Sequence, residues 1–170
     1  MELQQKKQDS TLATLVHIST LSKYIIPLGN FIFPLIIWTS IRKDKLTDAH
    51  GKEALNFQIS IFLYFVFIIC ATVAGILLAG LNSGFENDFY FFHYGIQAEN
   101  ISDAIPFMVI GGTSGILVLA LFILDLVCVI NAAIQASNGE YYKYPLSIPF
   151  IKSSNYSENE QNKNIQNDTL

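Results

Sequence analysis

The feature that most constrains this chain is the length of its uncharged stretches. Every residue from Leu55 to Leu81 is uncharged, and so is every residue from Ala104 to Leu124. At a rise of about 1.5 Å per residue, the first stretch reaches about 40 Å as a helix, which exceeds a hydrocarbon core of about 30 Å. Neither stretch has a polar face that could meet water. We therefore expect two long transmembrane helices.

The composition excludes two other classes of protein. Charged residues make up 14% of the chain and hydrophobic residues 51%, whereas a soluble domain carries about 25% charged residues. The net charge of −4 leaves no basic surface that could neutralise phosphates. We expect the lipid bilayer as the surroundings of this chain and no nucleic acid as a partner.

A third apolar region, Leu12–Ile41, is interrupted by turn residues. The sequence Pro27-Leu28-Gly29-Asn30 divides it, because proline, glycine and asparagine favour turns. Neither half is long enough to span a bilayer alone. Two interpretations remain: one kinked spanning helix, or a helical hairpin whose tip at Pro27–Asn30 stops partway through the bilayer.

The distribution of basic residues favours the hairpin. Arg42–Ala54 contains several basic residues, whereas Asn82–Asp103 contains neither Lys nor Arg. Since basic loops face the cytoplasm, we predict that Arg42–Ala54 and both termini are cytoplasmic and that Asn82–Asp103 is external. A single first span would place Lys6 and Lys7 outside. The predicted location is a bacterial cytoplasmic (inner) membrane.

Polarity also predicts the organisation of the chain into three parts. Residues 1–10 form a polar N-terminal segment, and residues 11–151 form a single membrane domain. Residues 152–170 are rich in Asn, Ser, Glu and Gln, which predicts a disordered polar tail.

Small residues recur at every fourth position in both long apolar stretches. Ala71, Gly75 and Ala79 form one set, and Gly111 and Gly115 form the other. Small residues at this spacing let helix backbones approach closely in lipid. We predict that the two sets pack against each other.

Aromatic residues cluster at the predicted membrane interfaces, where tryptophan and tyrosine are enriched. The external stretch Asn82–Asp103 is rich in Phe and Tyr. On the cytoplasmic side, the predicted aromatic belt consists of Trp38, Tyr141, Tyr142 and Tyr144.

The sequence contains no recognisable catalytic pattern. Cys70 and Cys128 lack CxxC spacing, and the three histidines lie in separate regions, so neither type predicts a metal or redox site. Ser/His/Asp, HExxH and phosphate-binding glycine motifs are also missing. We predict no catalytic residues, no metal and no cofactor, and therefore not an enzyme.

Asp125 is the exception in this apolar background. A carboxyl group within a spanning helix is costly and normally faces the bundle interior. Lys23, one turn before the hairpin tip, reaches a similar depth, so a buried charge pair is geometrically allowed. The alternatives are a neutral Asp125 with Lys23 extended to the interface, or a role in ion or proton conduction. The candidate intramembrane polar site is Asp125, Lys23 and Asn131.

A second polar stretch, Thr47–Ser60, precedes the uncharged part of the same predicted helix. Thr47 or Asp48 can cap this helix. In a functional interpretation, polar side chains of this stretch form a site at the cytosolic mouth together with Asn131. The alternative is interfacial capping plus hydrogen bonds between helices. The candidate residues of the mouth are His50, Glu53, Asn56 and Gln58.

Four motifs carry a family resemblance. They are HIS at His17–Ser19, IIPLGNFIFPLIIW at Ile25–Trp38, HGKEALNFQIS at His50–Ser60 and ASNGEYYKYPLSIPFI at Ala136–Ile151. Over residues 11–151 the chain resembles the bacterial family called domain of unknown function 4870. That family is similar to the twenty-kilodalton membrane component of the chloroplast inner-envelope translocon. The resemblance implies four helical segments, both termini on one side, and no catalytic residue.

These observations lead to one prediction of fold and two of function. The fold is all-α and integral to the membrane, with an N-terminal helical hairpin plus two long transmembrane helices. The first function is a non-enzymatic subunit or assembly partner that acts through helix–helix contacts with a membrane protein or as a homo-oligomer. The alternative is a small transporter or channel that uses Asp125.

Overall fold

The computed structural model describes residues 2–41, 45–83 and 101–152. Within these ranges all regular secondary structure is helical, which confirms the predicted all-α class. The helices are α1 (Glu2–Ser19), a 3-10 helix (Thr20–Tyr24), α2 (Gly29–Ile41), α3 (Lys45–Ser83) and α4 (Ile101–Ser137). Most of the predicted external aromatic stretch, and the predicted tail beyond Lys152, lie outside the described residues.

The N-terminal region is a helical hairpin. α1 and α2 pack against each other, and the turn between them includes Leu28 in the left-handed region, with φ 61°. Gly29 starts α2 so close to the 3-10 helix that an added Cβ would lie 2.5 Å from Ser22 Oγ and 3.0 Å from its carbonyl oxygen. The predicted tip residues therefore close the hairpin, and a single kinked span is excluded.

Two helices are long and apolar enough to cross a membrane, by length and composition: Lys45–Leu81 of α3 and Ala104–Ser137 of α4. None of the most apolar window of α3 is buried inside the protein. A core helix of a soluble protein would be mostly buried, so this exposure favours a lipid environment.

The start of α3 differs from the prediction. The helix begins by Lys45, ahead of the predicted cap at Thr47 or Asp48. Asp48 instead lies in the first turn, where a negative charge is favoured by the helix dipole. Its carboxylate accepts hydrogen bonds from Trp38 Nε1 at 2.9 Å and from Lys52 Nζ at 2.7 Å.

The chain divides into two compact units. The first comprises residues 1–62 and 124–170, of which the structure describes the hairpin, the start of α3, the end of α4 and the segment up to Lys152. Its buried hydrophobic residues form two small clusters: Phe57, Cys128, Val129, Ala132 and Tyr144 in one, and Ala13, Leu46 and Ala136 in the other. Polar contacts must therefore contribute much of what holds the first unit together.

The second unit, residues 63–123, corrects the packing prediction. Its two helices meet through Thr72 and Ser114, whose hydroxyl oxygens are 2.6 Å apart, and a Cβ on Gly75 would touch Ile110 at 3.4 Å. A Cβ on Gly111 or Gly115 would have nothing within 4 Å. The prediction that these two glycines pack closely in the monomer is wrong, because α4 presents the neighbouring face to α3.

Candidate functional site

The first four turns of α3 bury polar side chains at a helical spacing. In lipid, polar groups at membrane depth need partners within the protein, because no water is available to them. α3 therefore requires donors and acceptors from the hairpin, from α4 and from the chain that follows α4. The buried polar residues on α3 are Thr47, His50, Glu53, Asn56, Gln58 and Ser60.

The centre of the site is the carboxylate of Asp125, which is 1% exposed. Lys23 Nζ lies 2.5 Å from Asp125 Oδ2, and the Tyr24 hydroxyl donates to the same oxygen at 3.3 Å. Gln58 Nε2 donates to Oδ1 at 3.0 Å. Both carboxylate oxygens thus accept hydrogen bonds from within the chain, and an ammonium group compensates the buried negative charge.

Gln58 extends this network to a fourth element. Its Oε1 accepts a hydrogen bond from Asn30 Nδ2 at 2.9 Å and another from Lys23 Nζ at 3.3 Å. Asn30 lies in the first turn of α2, Lys23 in the 3-10 helix, Gln58 in α3 and Asp125 in α4. We call these four residues, with Tyr24, the charged network. It connects every helical element of the first unit except α1.

A second buried cluster connects α1 to α3. His17 Nε2 lies 2.7 Å from His50 Nδ1, and the Tyr144 hydroxyl lies 2.8 Å from His17 Nδ1. Tyr144 also stacks on Phe57, with ring centroids 4.2 Å apart. Burial raises the pKa of Tyr144 well above its ordinary value, so its hydroxyl keeps its proton at neutral pH.

The chain beyond α4 makes a third set of contacts with α3. Tyr141 donates its hydroxyl hydrogen to Glu53 Oε1 at 2.8 Å. Asn56 forms two hydrogen bonds with the backbone of Ile151, one to its carbonyl oxygen at 2.9 Å and one from its N–H at 2.8 Å. These contacts hold the chain beyond α4 against the side of α3.

The candidate intramembrane site is brought together only in part. Lys23 and Asp125 form the ion pair, whereas Asn131 is exposed on α4 and outside the charged network. Six residues of helix turn Asn131 about 120° away from Asp125.

The four residues of the candidate cytosolic mouth are all buried, but they do not converge on one opening. Each has a different partner: His17 for His50, Tyr141 for Glu53, Ile151 for Asn56 and the charged network for Gln58. They supply hydrogen bonds between elements along one face of α3.

Several members of the site are not evident from the sequence. Asn30 is only a turn residue in the sequence, and His17 is one of three scattered histidines. Tyr24, which follows Lys23 directly, carries no signal of its own. Tyr144 was assigned to an interfacial belt, and that prediction is wrong, because Tyr144 is 2% exposed. One sequence signal points to such partners: the start of α3 is rich in polar residues, and each of them needs a hydrogen-bond partner when it is buried.

The site shows no arrangement for metal chemistry among the residues described. These contain no group of three or more His, Cys, Asp or Glu side chains that could hold a metal ion. Cys70 is exposed and Cys128 buried, and both are free thiols. What the geometry provides is a set of hydrogen bonds and one ion pair that fix the elements of the first unit relative to one another.

Comparison with known proteins gives one match. The model of a family described as the magnetosome magnetite crystal formation protein family matches residues 8–151. None of the curated proteins and none of the solved structures matches the chain. The matched range includes the hairpin, both long helices and the segment that Asn56 binds.

This match corrects the resemblance inferred from the motifs. The family is neither domain of unknown function 4870 nor that of the chloroplast translocon component. The motifs behind that inference supply much of the buried hydrogen-bonding surface, including His17, Asn30, Gln58 and Tyr144. These motifs do not by themselves identify the family.

Proposed function

Because the chain belongs to the magnetosome magnetite crystal formation protein family, we propose that it serves crystal formation as a non-enzymatic assembly partner in a membrane. It acts through helix–helix contacts, either with another membrane protein or with further copies of itself. The exposed apolar faces of the long helices provide the surface for these contacts.

The observation that carries this proposal is that both carboxylate oxygens of Asp125 already accept hydrogen bonds from within the chain. An ion or proton path requires a carboxylate that can exchange its partners during each cycle. Here Lys23, Tyr24 and Gln58 occupy both oxygens of the carboxylate, and Lys23 balances its charge. A carboxylate bound in this way stabilises a fold, and the exterior of the helices remains available for association.

The exposed face of α4 supports contacts with another helix. Gly111 and Gly115 are one turn apart, and a Cβ at either position would meet nothing within 4 Å. Small residues on an exposed helix face permit close approach of a neighbouring helix in lipid.

The second candidate function is a small transporter or channel. The observation in its favour is that the Lys23 side chain is 19% exposed, so one partner of the ion pair is accessible from outside the protein. This candidate requires Asp125 and Lys23 to separate during transport.

Affinity purification from native membranes after cross-linking tests the first candidate. We expect a defined membrane protein, or a closed oligomer of the chain, to be captured with it. Gly111→Leu should reduce the captured fraction severalfold, because the added side chain separates the helices. Thr113→Leu is the matched control, since it adds bulk to another exposed face of α4. A chain that is captured alone as a monomer contradicts the proposal. Ion flux into proteoliposomes that is lost in Asp125→Asn, while the variant unfolds like the wild type, would favour the transporter.

We also propose that both termini and residues 42–54 face the cytoplasm, with residues 82–103 on the other side of a cytoplasmic (inner) membrane. The support is the distribution of basic residues and the hairpin, which returns the chain to its starting side. In a chain carrying Cys70→Ser and Cys128→Ala, an impermeant thiol reagent added to intact cells should label Asn100→Cys and spare Gln8→Cys. Labelling at position 8 would contradict this orientation.

A further inference from the structure

The segment that follows α4 returns along α3 without forming a helix. Tyr144 is buried against Phe57. Further on, the N–H of Ile148 donates to Ser60 Oγ at 2.8 Å, and Ile151 pairs with Asn56. Ser60 lies one turn after Asn56, so the chain runs antiparallel to α3 at this point. Residues 145–151 are therefore attached to α3 by side chains.

The last three backbone donors of this segment are satisfied by the protein itself. From residue 148 onward, Ile148 donates to Ser60, Pro149 has no N–H, Phe150 donates to the carbonyl oxygen of Ile148 at 2.9 Å, and Ile151 donates to Asn56. A surface segment in water would not need such partners. Non-helical backbone at membrane depth does need them, because an unsatisfied N–H in hydrocarbon costs several kcal/mol.

The position of the segment along α3 agrees with membrane depth. Glu53 is the last charged residue of α3, and both Asn56 and Ser60 lie beyond it, in the uncharged stretch that continues to Leu81. Ile148 and Ile151 therefore lie beside the part of α3 that enters the apolar region.

The outward side chains of the segment are apolar, and its flanks are basic. Ile148 is 39% exposed and Phe150 50%, and both prolines of the segment are exposed. Lys143 and Lys152, at its two ends, are exposed as well. Apolar side chains between two lysines match the boundary between acyl chains and phosphate groups, because a lysine can extend its ammonium toward the phosphates.

We propose that residues 145–151 form a non-helical membrane anchor whose partner is phospholipid. Pro145, Ile148, Pro149 and Phe150 contact the outer part of the acyl chains, and Lys143 and Lys152 bind lipid phosphates. Asn56 and Ser60 take the place of water for the anchor backbone. This inference goes beyond the proposed function and holds whether or not the chain has a protein partner.

Depth measurements on spin labels test the anchor. The full chain with Cys70→Ser and Cys128→Ala is labelled at Phe150→Cys and reconstituted into vesicles of phosphatidylcholine and phosphatidylglycerol. We expect the label to collide severalfold more often with oxygen, which concentrates in lipid, than with a water-soluble nickel chelate. Asn138→Cys, in the exposed turn after α4, is the control and should show the opposite preference.

Release of the anchor provides the second measurement. Asn56→Ala should make the label at position 150 more mobile and accessible to nickel, whereas Asn131→Ala, which removes an exposed amide from α4, should change neither property. If Asn56→Ala fails to fold, as judged by helix content, the proposal is tested by the oxygen and nickel accessibility of the labels at positions 150 and 138 alone. A label at position 150 with the nickel accessibility of position 138 overturns the proposal. A label shielded from both reagents overturns it as well, because it indicates a covering protein chain. Both results come from the purified chain, so failure to capture a partner does not affect them.

Discussion

Replacing Asp125 by Asn, or Lys23 by Met, is expected to lower the free energy of unfolding by about 3–5 kcal/mol, because either change leaves one charge buried without its partner. The double variant is expected to recover most of that loss, since it removes both charges together. The Asp125 side chain is 2% exposed, so solvent cannot replace the ammonium group of Lys23 as the partner of this carboxylate. The measurement is reversible unfolding in detergent of the wild type, both single variants and the double variant.

A second ion pair in the same unit supplies the control for this comparison of single and double variants. Asp48 and Lys52 are one turn apart on α3, at 2.7 Å, and each is 19% exposed. Their coupling energy, from Asp48→Asn and Lys52→Met, should be about 0.3–0.5 kcal/mol, as for other helix pairs at this spacing. Equal coupling in the two pairs would show that burial of Asp125 contributes nothing. Single variants at Asp125 and Lys23 that unfold like the wild type would contradict the structural role of the network.

The second large effect is expected at Gly51, where α3 crosses α2. A Cβ at this position would lie 2.4 Å from Trp38 Cδ1, 2.6 Å from Cγ and 2.9 Å from Trp38 Cβ. Rotation of the indole cannot relieve the last contact, since Cβ moves only with the backbone. We expect Gly51→Ala to cost about 1–3 kcal/mol through overpacking, and the larger Gly51→Leu to cost more. Thermal unfolding in detergent measures both.

Two further variants make the Gly51 prediction specific. Gly112→Ala, on α4, places its Cβ where nothing lies within 4 Å, and should be neutral or stabilising by up to about 1 kcal/mol through helix propensity. Trp38→Ala combined with Gly51→Ala should be more stable than the sum of the single effects, because the contacts with Trp38 Cδ1 and Cγ are removed and only the one with Cβ remains. Additive losses, or Gly51→Ala unfolding like the wild type, would show that α2 and α3 do not approach closely here.

The sequence by itself determined the all-α class, the two long apolar helices and the turn at Pro27 to Asn30. These features depend on local properties: an uncharged run either exceeds the bilayer thickness or does not, and Pro27 to Asn30 interrupts a helix wherever the chain is placed. It also singled out Asp125 and Lys23, because a charge in an apolar stretch is visible without a structure.

Only the tertiary structure decided which polar residues meet. Lys23 and Asp125 are 102 residues apart in the chain, and their contact depends on how α4 is rotated about its axis relative to α3. The same rotation leaves Asn131 exposed and brings Gln58 to the carboxylate. Hydropathy gives the depth of a residue but not this rotation.

The aromatic residues after α4 show again that the sequence does not give the contacts of a residue. Composition placed Tyr144 in an interfacial belt, whereas the structure buries it between His17 and Phe57. Tyr144 is buried because Asn56 and Ser60 attach the returning chain to α3, a non-local contact that residue type does not encode. The sequence determined which segments are apolar enough to enter lipid, since transfer free energy sums along the chain. The tertiary structure decided their partners, since hydrogen bonds depend on relative orientation.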